Sequence, residues 1–511
     1  MNGKVGFTWI DMTILVVYLA AVLFVGLAFS KKEMKGKEFF KGDGTIPWWV
    51  TSVSIFATLL SPISFLSLAG NSYGGTWILW FAQLGMLVAI PITIRFFLPL
   101  YSRLGIDTAY QYLENRFDSK GLRILGAVMF IIYQIGRMSI IMYLPSMVLA
   151  KLTNIPITIL IIAMGVIAII YSYTGGLKAV LWTDFIQGSI LIIGVSFALV
   201  FLLFQIRGGV GEVWNTLASG KFLADTEVWF DPVFIKNSVF IIILGAGLNT
   251  CSSYVSSQDI VQRFTTTTDM KKLTKMTLGN GVLSIFIATV FYLIGTALYV
   301  FYTQNPTLAE GVAQDQIFAH YIAYELPIGI TGILLAAIYA ASQSTLSTGL
   351  NSVATSWVLD VHALVSKKEL SMKRQTRIAQ YVSLGVGILS ILVALVLANG
   401  EIKSAYEWFN AFMGLVLGVL GGTFALGAFT KRSTKNSAYA AFIVAALLIV
   451  FIKYNPLNIA ALNQISSWSY ALISISVSLI VGFVYSAIER KITGKNIEAK
   501  PETTIYYKSQ S

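Results

Sequence analysis

The sequence predicts an all-α membrane protein with about thirteen transmembrane helices. Three observations lead to this fold class: 56% of the 511 residues are hydrophobic, only 12% are charged, and the mean hydropathy is +0.74. Because an ordinary soluble domain carries roughly a quarter charged residues, a soluble globular protein is excluded. The apolar residues also fall into separate long runs, and each run is close to the roughly 20 residues that cross a bilayer as a helix.

The predicted spans are bounded by charged or turn residues. They lie at 11–30, 46–69, 76–99, 122–150, 155–173, 177–206, 238–256, 276–302, 326–358, 377–398, 404–428, 437–452 and 464–487. These runs do not alternate between apolar and polar residues as the strands of a membrane barrel would, so we interpret all of them as helices.

The distribution of positive charge predicts the orientation. Of the 36 Lys and Arg residues, 27 lie in the odd-numbered connections and the C-terminal tail, whereas 7 lie in the opposite set. Positive charge concentrates on the cytoplasmic side, so we expect the N-terminus outside and the C-terminus in the cytoplasm. The sequence contains no N-x-S/T sequon, which is consistent with a bacterial plasma membrane. The charge bias explains most of the net charge of +12 without a nucleic-acid partner, although lipid binding by the basic connections is an alternative. The other two, Arg95 and Arg137, lie inside spans.

Composition also limits the chemistry. The single cysteine, Cys251, excludes an internal disulfide, and the two histidines lie in different connections, so we do not expect a transition-metal site. The chain has no HExxH or Walker motif, and we do not expect an enzyme. The N-terminal run begins at Asp11 without a small-residue cleavage site, which indicates a retained helix.

The second span contains a proline and several hydroxyls in the middle of the membrane. Pro62 cannot donate a backbone hydrogen bond and disturbs the carbonyl of Thr58. The hydroxyl residues are Ser54, Thr58, Ser61, Ser64 and Ser67. An ordinary proline kink is the alternative to a functional break.

The seventh span contains a second candidate break, at Gly245, Gly247 and Asn249 in LGAGLNTCSS. The two spans are five helices apart, and an odd spacing gives them opposite orientations. Interrupted helices at matching places in two inverted halves are typical of secondary transporters with a site at the bilayer midplane.

The ninth span presents a row of side-chain oxygens. Ala341, Ser344, Thr345 and Thr348 follow the i, i+3, i+4, i+7 spacing of one helix face. Tight helix packing is one interpretation, because small residues let helices approach closely in lipid. A site for Na⁺ is the other, because a small hard cation prefers oxygen ligands and a broken helix supplies free carbonyls.

Two charges lie within the membrane and need partners. Asp184 lies roughly 10 Å and Arg137 roughly 22 Å from the cytoplasmic face, which disfavours a direct salt bridge between them. Asp184 is therefore interpreted as a cation-binding or gating carboxylate. Arg137 shares its depth with Ser61 and Gln83, and an uncompensated arginine there predicts a substrate that carries a carboxylate. The alternative is a structural arginine that caps the carbonyls of an unwound helix.

Three segments resemble the sodium:solute symporter family: SVSIFATLLSPISF, YSYTGGLKAVLWTDFIQG and AAIYAASQSTLSTGLNS. The resemblance covers nearly the whole chain and is strongest to the bacterial sodium/sialic acid symporters of that family. It implies a five-plus-five inverted repeat with a broken first helix in each half. The implied divisions are 1–40 as an additional helix, 41–206 and 207–428 as the two repeats, and 429–511 as two additional helices and a tail.

The resemblance also implies site residues. The sodium site common to the family corresponds to Ala57, Leu60, Ala341, Ser344 and Thr345, and a second sodium site corresponds to Asp184, Ser344, Ser347 and Thr348. Substrate contacts correspond to Ser61, Ser64, Gln83 and Arg137. Leu59 and Pro62 replace hydroxyl residues of a well-known member, which bears on the preference among sialic acids.

The expected function is Na⁺-coupled uptake of a sialic acid by alternating access, with one or two Na⁺ ions and two favoured. A symporter of another small solute, such as proline, a sugar or pantothenate, is the alternative. A channel or receptor is a further alternative, and no obligatory protein partner is indicated.

Overall fold

The computed structural model describes residues 8–33, 45–60, 62–153, 155–174, 177–233, 236–366, 371–400, 405–494 and 498–507. Within these ranges the secondary structure consists of helices and contains no strand, so the predicted all-α class is confirmed. The predicted boundary at residues 40–41 and the site residue Ser61 lie outside the described residues.

Twenty α-helices make up the described part of the chain. They are α1 (Trp9–Glu33), α2 (Trp48–Leu59), α3 (Pro62–Gly74), α4 (Met86–Ile92), α5 (Leu98–Leu104), α6 (Ala109–Phe117), α7 (Lys120–Thr153), α8 (Ile157–Thr174), α9 (Leu177–Gln205), α10 (Gly209–Thr216), α11 (Val239–Ser256), α12 (Gln258–Phe264), α13 (Met270–Gln304), α14 (Ile317–Tyr324), α15 (Ile330–Ser356), α16 (Ala363–Val365), α17 (Met372–Ala398), α18 (Ala405–Phe429), α19 (Lys435–Tyr454) and α20 (Tyr470–Thr493). A 3₁₀-helix, Ile78–Gly85, leads into α4, and a π-helical turn, Trp357–His362, extends α15.

Each of the thirteen predicted apolar runs forms a helix or a series of helices. Ten helices of the described chain are long and apolar enough to cross a membrane, and the bent pair α2 and α3 brings the number to eleven. Shorter apolar helices occur within α1 and α8, at Trp9–Val22 and Ile157–Ile170. The number thirteen and the two repeats stay predictions.

Two places in the described chain interrupt a helix with a residue of extended backbone, Leu60 after α2 and Ser257 after α11. Trp48–Leu59 and Ser64–Gly74 are bent by 61° relative to each other, as the proline and hydroxyls of this span predict. The second break lies between α11 and α12, where Ser257 has an extended backbone with φ −91° and ψ 115°. The predicted break at Gly245, Gly247 and Asn249 is therefore wrong, because all three lie within the continuous helix α11.

The two glycines of α11 allow close packing. A Cβ atom on Gly245 would lie 2.0 Å from the carbonyl oxygen of Trp468, and one on Gly247 would lie 2.7 Å from Cβ of Val88. Gly85 faces the same helix, since its Cβ would lie 2.5 Å from the backbone nitrogen of Gly247. Small residues let helix backbones approach one another in lipid, and here they press α11 against the segment that carries Gln83.

The broken helix α2 packs against α9, α13 and α15, and α11 packs against α4 and α18. Gly188 explains the close approach of α9 to α2, because a Cβ there would lie 2.8 Å from Cγ1 of Val53. Asp184 lies one helical turn before Gly188 on the same face of α9. The fold thereby brings Asp184 next to α2 and α15.

The first helix is attached to α15 through Asp11. This carboxylate is fully buried, and its Oδ1 accepts hydrogen bonds from the backbone N–H groups of Gly329 and Gly332, at 2.8 and 3.0 Å. Both groups lie at the start of α15, where N–H groups have no helical acceptor. Helix α1 thus caps the helix that carries most of the predicted sodium ligands.

Candidate functional site

Asp184 lies at the centre of a buried polar site between three helices. Its Oδ2 accepts hydrogen bonds from Ser54 Oγ of α2 at 2.8 Å and from Thr348 Oγ1 of α15 at 3.2 Å. Its Oδ1 accepts one from Ser344 Oγ of α15 at 2.8 Å. Two of the three predicted hydroxyl partners, Ser344 and Thr348, therefore contact the carboxylate in this structure.

The third predicted partner, Ser347, donates its hydroxyl to the carbonyl of Ser344, at 3.1 Å. Ser54 was predicted only as one of several hydroxyls along its span, yet its side chain contacts Asp184 directly. The i, i+4 relation of Ser344 and Thr348 places both hydroxyls on the face of α15 that meets α9.

A positive charge also occupies this site. Arg263 Nη2 forms a salt bridge with Asp184 Oδ2 at 2.7 Å and donates to Thr348 Oγ1 at 2.7 Å. Arg263 Nε donates to Ser54 Oγ at 3.0 Å. Arg263 lies between the predicted spans 238–256 and 276–302, where positive charge is expected only to set the orientation, but its side chain is only 1% exposed. This residue was missed because it lies in α12, a short helix that follows the break at Ser257.

The residues matched to the family sodium site lie at the end of α2 and on α15. Ala57 is in the last turn of α2, and Leu60 follows that helix with an extended backbone. The last carbonyls of a helix lack helical donors and are available to other groups. On α15, Ala341, Ser344 and Thr345 are buried, and the Thr345 hydroxyl donates to the Ala341 carbonyl at 3.0 Å. The packing of α2 against α15 places these two sets of oxygens on neighbouring elements.

Arg137 is paired with Asp259 of α12, with 2.6 Å between Nη1 and Oδ2. The prediction of an uncompensated arginine is therefore wrong, whereas the expectation that Arg137 and Asp184 do not pair directly agrees with the contacts. Arg137 Nη2 donates to the carbonyl of Thr58 at 2.5 Å. This is the carbonyl that Pro62 was expected to leave without its helical donor, so Arg137 does cap the broken helix.

One face of Arg137 borders a cavity of about 140 Å³. Its Nε is buried without a hydrogen-bond partner among the described residues. The predicted contacts Ser64 and Gln83 line the same cavity. Its walls come from α3, α7, α11, α13, α18 and the 3₁₀-helix Ile78–Gly85. The lining polar residues are Ser64, Gln83, Tyr133, Arg137, Asn249, Thr250, Ser253 and Ser284, and the lining aromatic residues Phe409 and Trp468 lie near them.

Helix α11 contributes a polar face to the cavity. Ala246, Asn249, Thr250 and Ser253 line the cavity at the i, i+3, i+4, i+7 spacing of one helix face. Asn249 is 1% exposed, and neither atom of its amide has a hydrogen-bond partner among the described residues. The residue was identified as a helix breaker, but its position favours a ligand contact.

The aromatic residues near Gln83 serve mainly in packing. Trp77 and Trp80 donate their indole N–H groups to Thr296 and Thr289 of α13, at 2.9 and 3.0 Å. Neither tryptophan is among the residues that line the cavity.

The comparisons with known proteins agree with this architecture. Residues 39–445 match the sodium:solute symporter family. The chain is 34% identical to the sodium/sialic acid symporter SiaT of Proteus mirabilis over 472 residues, which cover 91% of this chain and 94% of that protein. It is 30% identical to the sodium/sialic acid symporter NanT of Aliivibrio fischeri, over 92% of this chain and 91% of the relative.

Solved structures give the same result. A Na⁺-coupled sialic acid symporter, solved in a substrate-bound outward-open state, superposes with a TM-score of 0.86 at 32% identity and covers 97% of this chain and 99% of its own. The nucleobase-cation-symport-1 transporter MHP1, at 12% identity and a TM-score of 0.57 over 90% of this chain and 96% of its own, shares the fold alone. The broken helices, the buried hydroxyl and carboxylate site and these matches together establish that the chain belongs to the sodium:solute symporter family.

Proposed function

We propose that this protein carries a sialic acid into the bacterial cell together with Na⁺ by alternating access. The observation that carries the proposal is the polar cavity beside the broken helix, bordered by the Arg137 guanidinium, in a chain similar along its length to sodium/sialic acid symporters. An arginine offers five N–H donors in a planar arrangement that suits a carboxylate. The hydroxyl and amide groups of the lining suit the hydroxyl-rich remainder of such a sugar acid.

The proposed substrate contacts are Ser61, Ser64, Gln83 and Arg137, and Asn249 is added from the cavity. Arg137 holds the carboxylate, and its hydrogen bond to the Thr58 carbonyl keeps the guanidinium beside the break. A substrate bound there bridges α7 to the broken helix, whose two halves meet at an angle of 61°.

For Na⁺, the proposed ligands of one ion are the carbonyls of Ala57, Leu60 and Ala341 and the hydroxyls of Ser344 and Thr345. A second ion is held by Asp184 with Ser344, Ser347 and Thr348, after Arg263 has moved aside. Ser344 belongs to both sets, which gives the two ions a shared ligand on α15.

The pairing of Arg137 with Asp259 favours a second candidate, Na⁺-coupled uptake of a neutral solute such as a sugar. A guanidinium that is already neutralised can serve as a hydrogen-bond donor to hydroxyls without needing an anionic ligand.

A thermal-shift panel separates the two candidates, because a specific ligand stabilises the folded state in proportion to its occupancy. N-acetylneuraminate, N-glycolylneuraminate, glucose, proline and pantothenate are each added in NaCl and in choline chloride. We expect stabilisation by a sialic acid in Na⁺ only, and Na⁺-dependent uptake of the same compound into proteoliposomes. Stabilisation by glucose alone would overturn the sialic acid proposal in favour of the neutral solute.

Arg137→Lys keeps the positive charge but not the planar donor set. We expect its affinity for N-acetylneuraminate to fall about tenfold or more, which corresponds to the loss of about 1.4 kcal/mol in charged hydrogen bonds. Arg95→Ala is the matched control, since Arg95 was also predicted within a span but is exposed and does not line the cavity. Unchanged affinity in Arg137→Lys would contradict the carboxylate contact.

The second ion has a separate test in the ratio of Na⁺ to substrate fluxes, measured with radioactive sodium in proteoliposomes. We expect two ions per substrate in the wild type and one in Asp184→Asn, because the amide removes the only charge among the proposed ligands. Asp360→Asn, in a buried Asp–Arg pair with Arg123 at 2.6 Å, is the control. An equal flux ratio in Asp184→Asn and wild type would restrict Asp184 to a structural role.

A further inference from the structure

Four charged side chains form a continuous buried chain between the proposed second sodium site and the substrate cavity. We call Asp184, Arg263, Asp259 and Arg137 the charge cluster. Each is at most 3% exposed. Salt bridges of 2.7 and 2.6 Å join Asp184 to Arg263 and Asp259 to Arg137.

The two salt bridges are connected through α12. Asp259 and Arg263 are one helical turn apart, and Arg263 Nη1 donates to the backbone carbonyl of Asp259. The order along the cluster is therefore Asp184, Arg263, Asp259, Arg137, with the charges alternating in sign.

Two arginines and two aspartates give the charge cluster a net charge of zero. A Na⁺ ion at Asp184 alone would leave one buried positive charge, and a carboxylate at Arg137 alone would leave one buried negative charge. Uncompensated buried charge is strongly unfavourable. The cation and the carboxylate together restore neutrality, so each ligand favours the binding of the other, as reciprocal coupling requires.

The contacts also suggest how the exchange proceeds. A substrate carboxylate competes with Asp259 for the guanidinium of Arg137, and the Asp259 carboxylate that is released lies one turn from Arg263. Attraction of Arg263 toward Asp259 draws its guanidinium away from Asp184, whose oxygens are then available to a cation.

We propose that Asp259 couples the two ligand sites. When a substrate carboxylate binds, the Asp259 carboxylate changes its salt-bridge partner from Arg137 to Arg263 and thereby makes Asp184 available to Na⁺. This inference rests on the proposed function for the identity of the two ligands. Asp259 is a positioning residue, since it acts on both ligands through the arginines.

The test uses Na⁺ alone, so that its outcome does not depend on which solute is carried. The Na⁺ concentration at half-maximal thermal stabilisation is measured in choline chloride buffer for the full chain. Arg137→Gln gives the cluster a net charge of −1, imitates a bound carboxylate, and should lower this midpoint about tenfold. Asp259→Asn gives a net charge of +1 and should raise it by a similar factor.

The double variant Arg137→Gln/Asp259→Asn is neutral again and should return toward the wild-type midpoint. In an Asp184→Asn background the same substitutions should leave the midpoint unchanged, because the ion site that responds to the cluster is gone. A general loss of packing would not lower the Na⁺ midpoint in one single variant, raise it in the other and restore it in the double variant.

Asp360→Asn is the matched control for removal of one partner of a buried Asp–Arg pair. Asp360 lies twelve residues beyond Thr348, roughly 18 Å along the helix, and we expect no change in the Na⁺ midpoint. Midpoints that move in the same direction in both single variants, or that do not move, would overturn the role of Asp259. Lack of stabilisation by any sialic acid would instead overturn the proposed substrate, while the order of the Na⁺ midpoints still decides the coupling.

Discussion

Asn249 lines the cavity with a buried amide for which the described residues provide no hydrogen-bond partner. A buried amide without partners costs free energy, and a ligand that supplies them recovers it. Its neighbours on α11, Thr250 and Ser253, present hydroxyls to the same space. On the proposed function, we expect selection among sialic acids to depend on this face as well as on Ser64 and Gln83.

For Asn249→Leu, which has a similar shape and no hydrogen-bonding groups, we expect up to about tenfold weaker binding of N-acetylneuraminate. The Na⁺ midpoint should stay at the wild-type value. Isothermal titration measures the first and the thermal-shift titration the second. Asn280→Leu is the control, because Asn280 is buried in α13 but donates its amide to Tyr254. Equal affinity in Asn249→Leu and wild type would remove Asn249 from the proposed contacts.

Single residues also show how far the sequence could lead. Arg137 and Asp184 could be identified because charge within an apolar run has to be explained. Their partners Asp259 and Arg263 could not, since the segment SQDIVQRF has the composition of an ordinary connection. The packing of α12 against α2, α15 and α6 decides which carboxylate pairs with which arginine. This packing joins residues that are far apart in sequence, so the pairs are not visible in the sequence.

At the level of elements, the apolar runs predict where the long helices lie, because burial in lipid imposes a strong and local pattern, while the number of spans stays a prediction. The glycines of α11 were misinterpreted because helix breaking and close packing require the same residue. The short helices α6, α10 and α14 lie in connections and are not predicted by the apolar runs, since each has only eight or nine residues and cannot form a span.

The contact of α1 with α15 gives a prediction about an element. Asp11→Ala removes the acceptor for two N–H groups at the start of α15 and should lower stability by about 1–2 kcal/mol. It should also weaken Na⁺ binding, because α15 carries the proposed ligands. Asp269→Ala is the comparison, since Asp269 caps α13 at an exposed position and should cost less. Thermal unfolding in choline chloride checks the order, and equal losses would contradict the special role of Asp11.

At the level of the whole molecule, tertiary contacts join segments that are predicted to lie on the same side of the membrane. The tail docks on two connections that the charge bias assigns to the cytoplasm. Arg103 donates to the carbonyls of Glu502 and Thr504, and the backbone N–H of Ala499 donates to the carbonyl of Lys431. The starts of α1 and α15 likewise meet at Asp11. The predicted parity of the spans is compatible with both contacts, and the absolute orientation stays a prediction.

Cysteine labelling tests that orientation, because the natural thiol of Cys251 is buried. In a Cys251→Ala background, Glu310→Cys should react with a membrane-impermeant maleimide in intact cells. Lys373→Cys should react only after permeabilisation. Both positions are exposed, so the two variants differ in side and not in accessibility. The reverse pattern would invert the predicted topology.

The neutrality of the charge cluster also determines how the membrane potential can act on transport. On the proposed assignments, one Na⁺ and one carboxylate enter the cluster as a pair, and its net charge is zero before and after loading. The electric field across the bilayer then exerts no net force on this loaded unit. It acts on the other Na⁺, held by α2 and α15 without a counter-ion, and one charge gains about 2.3 kcal/mol per 100 mV. On these assignments, voltage drives the cycle through the uncharged oxygen site, while concentration gradients alone act on the pair of ligands at the charge cluster.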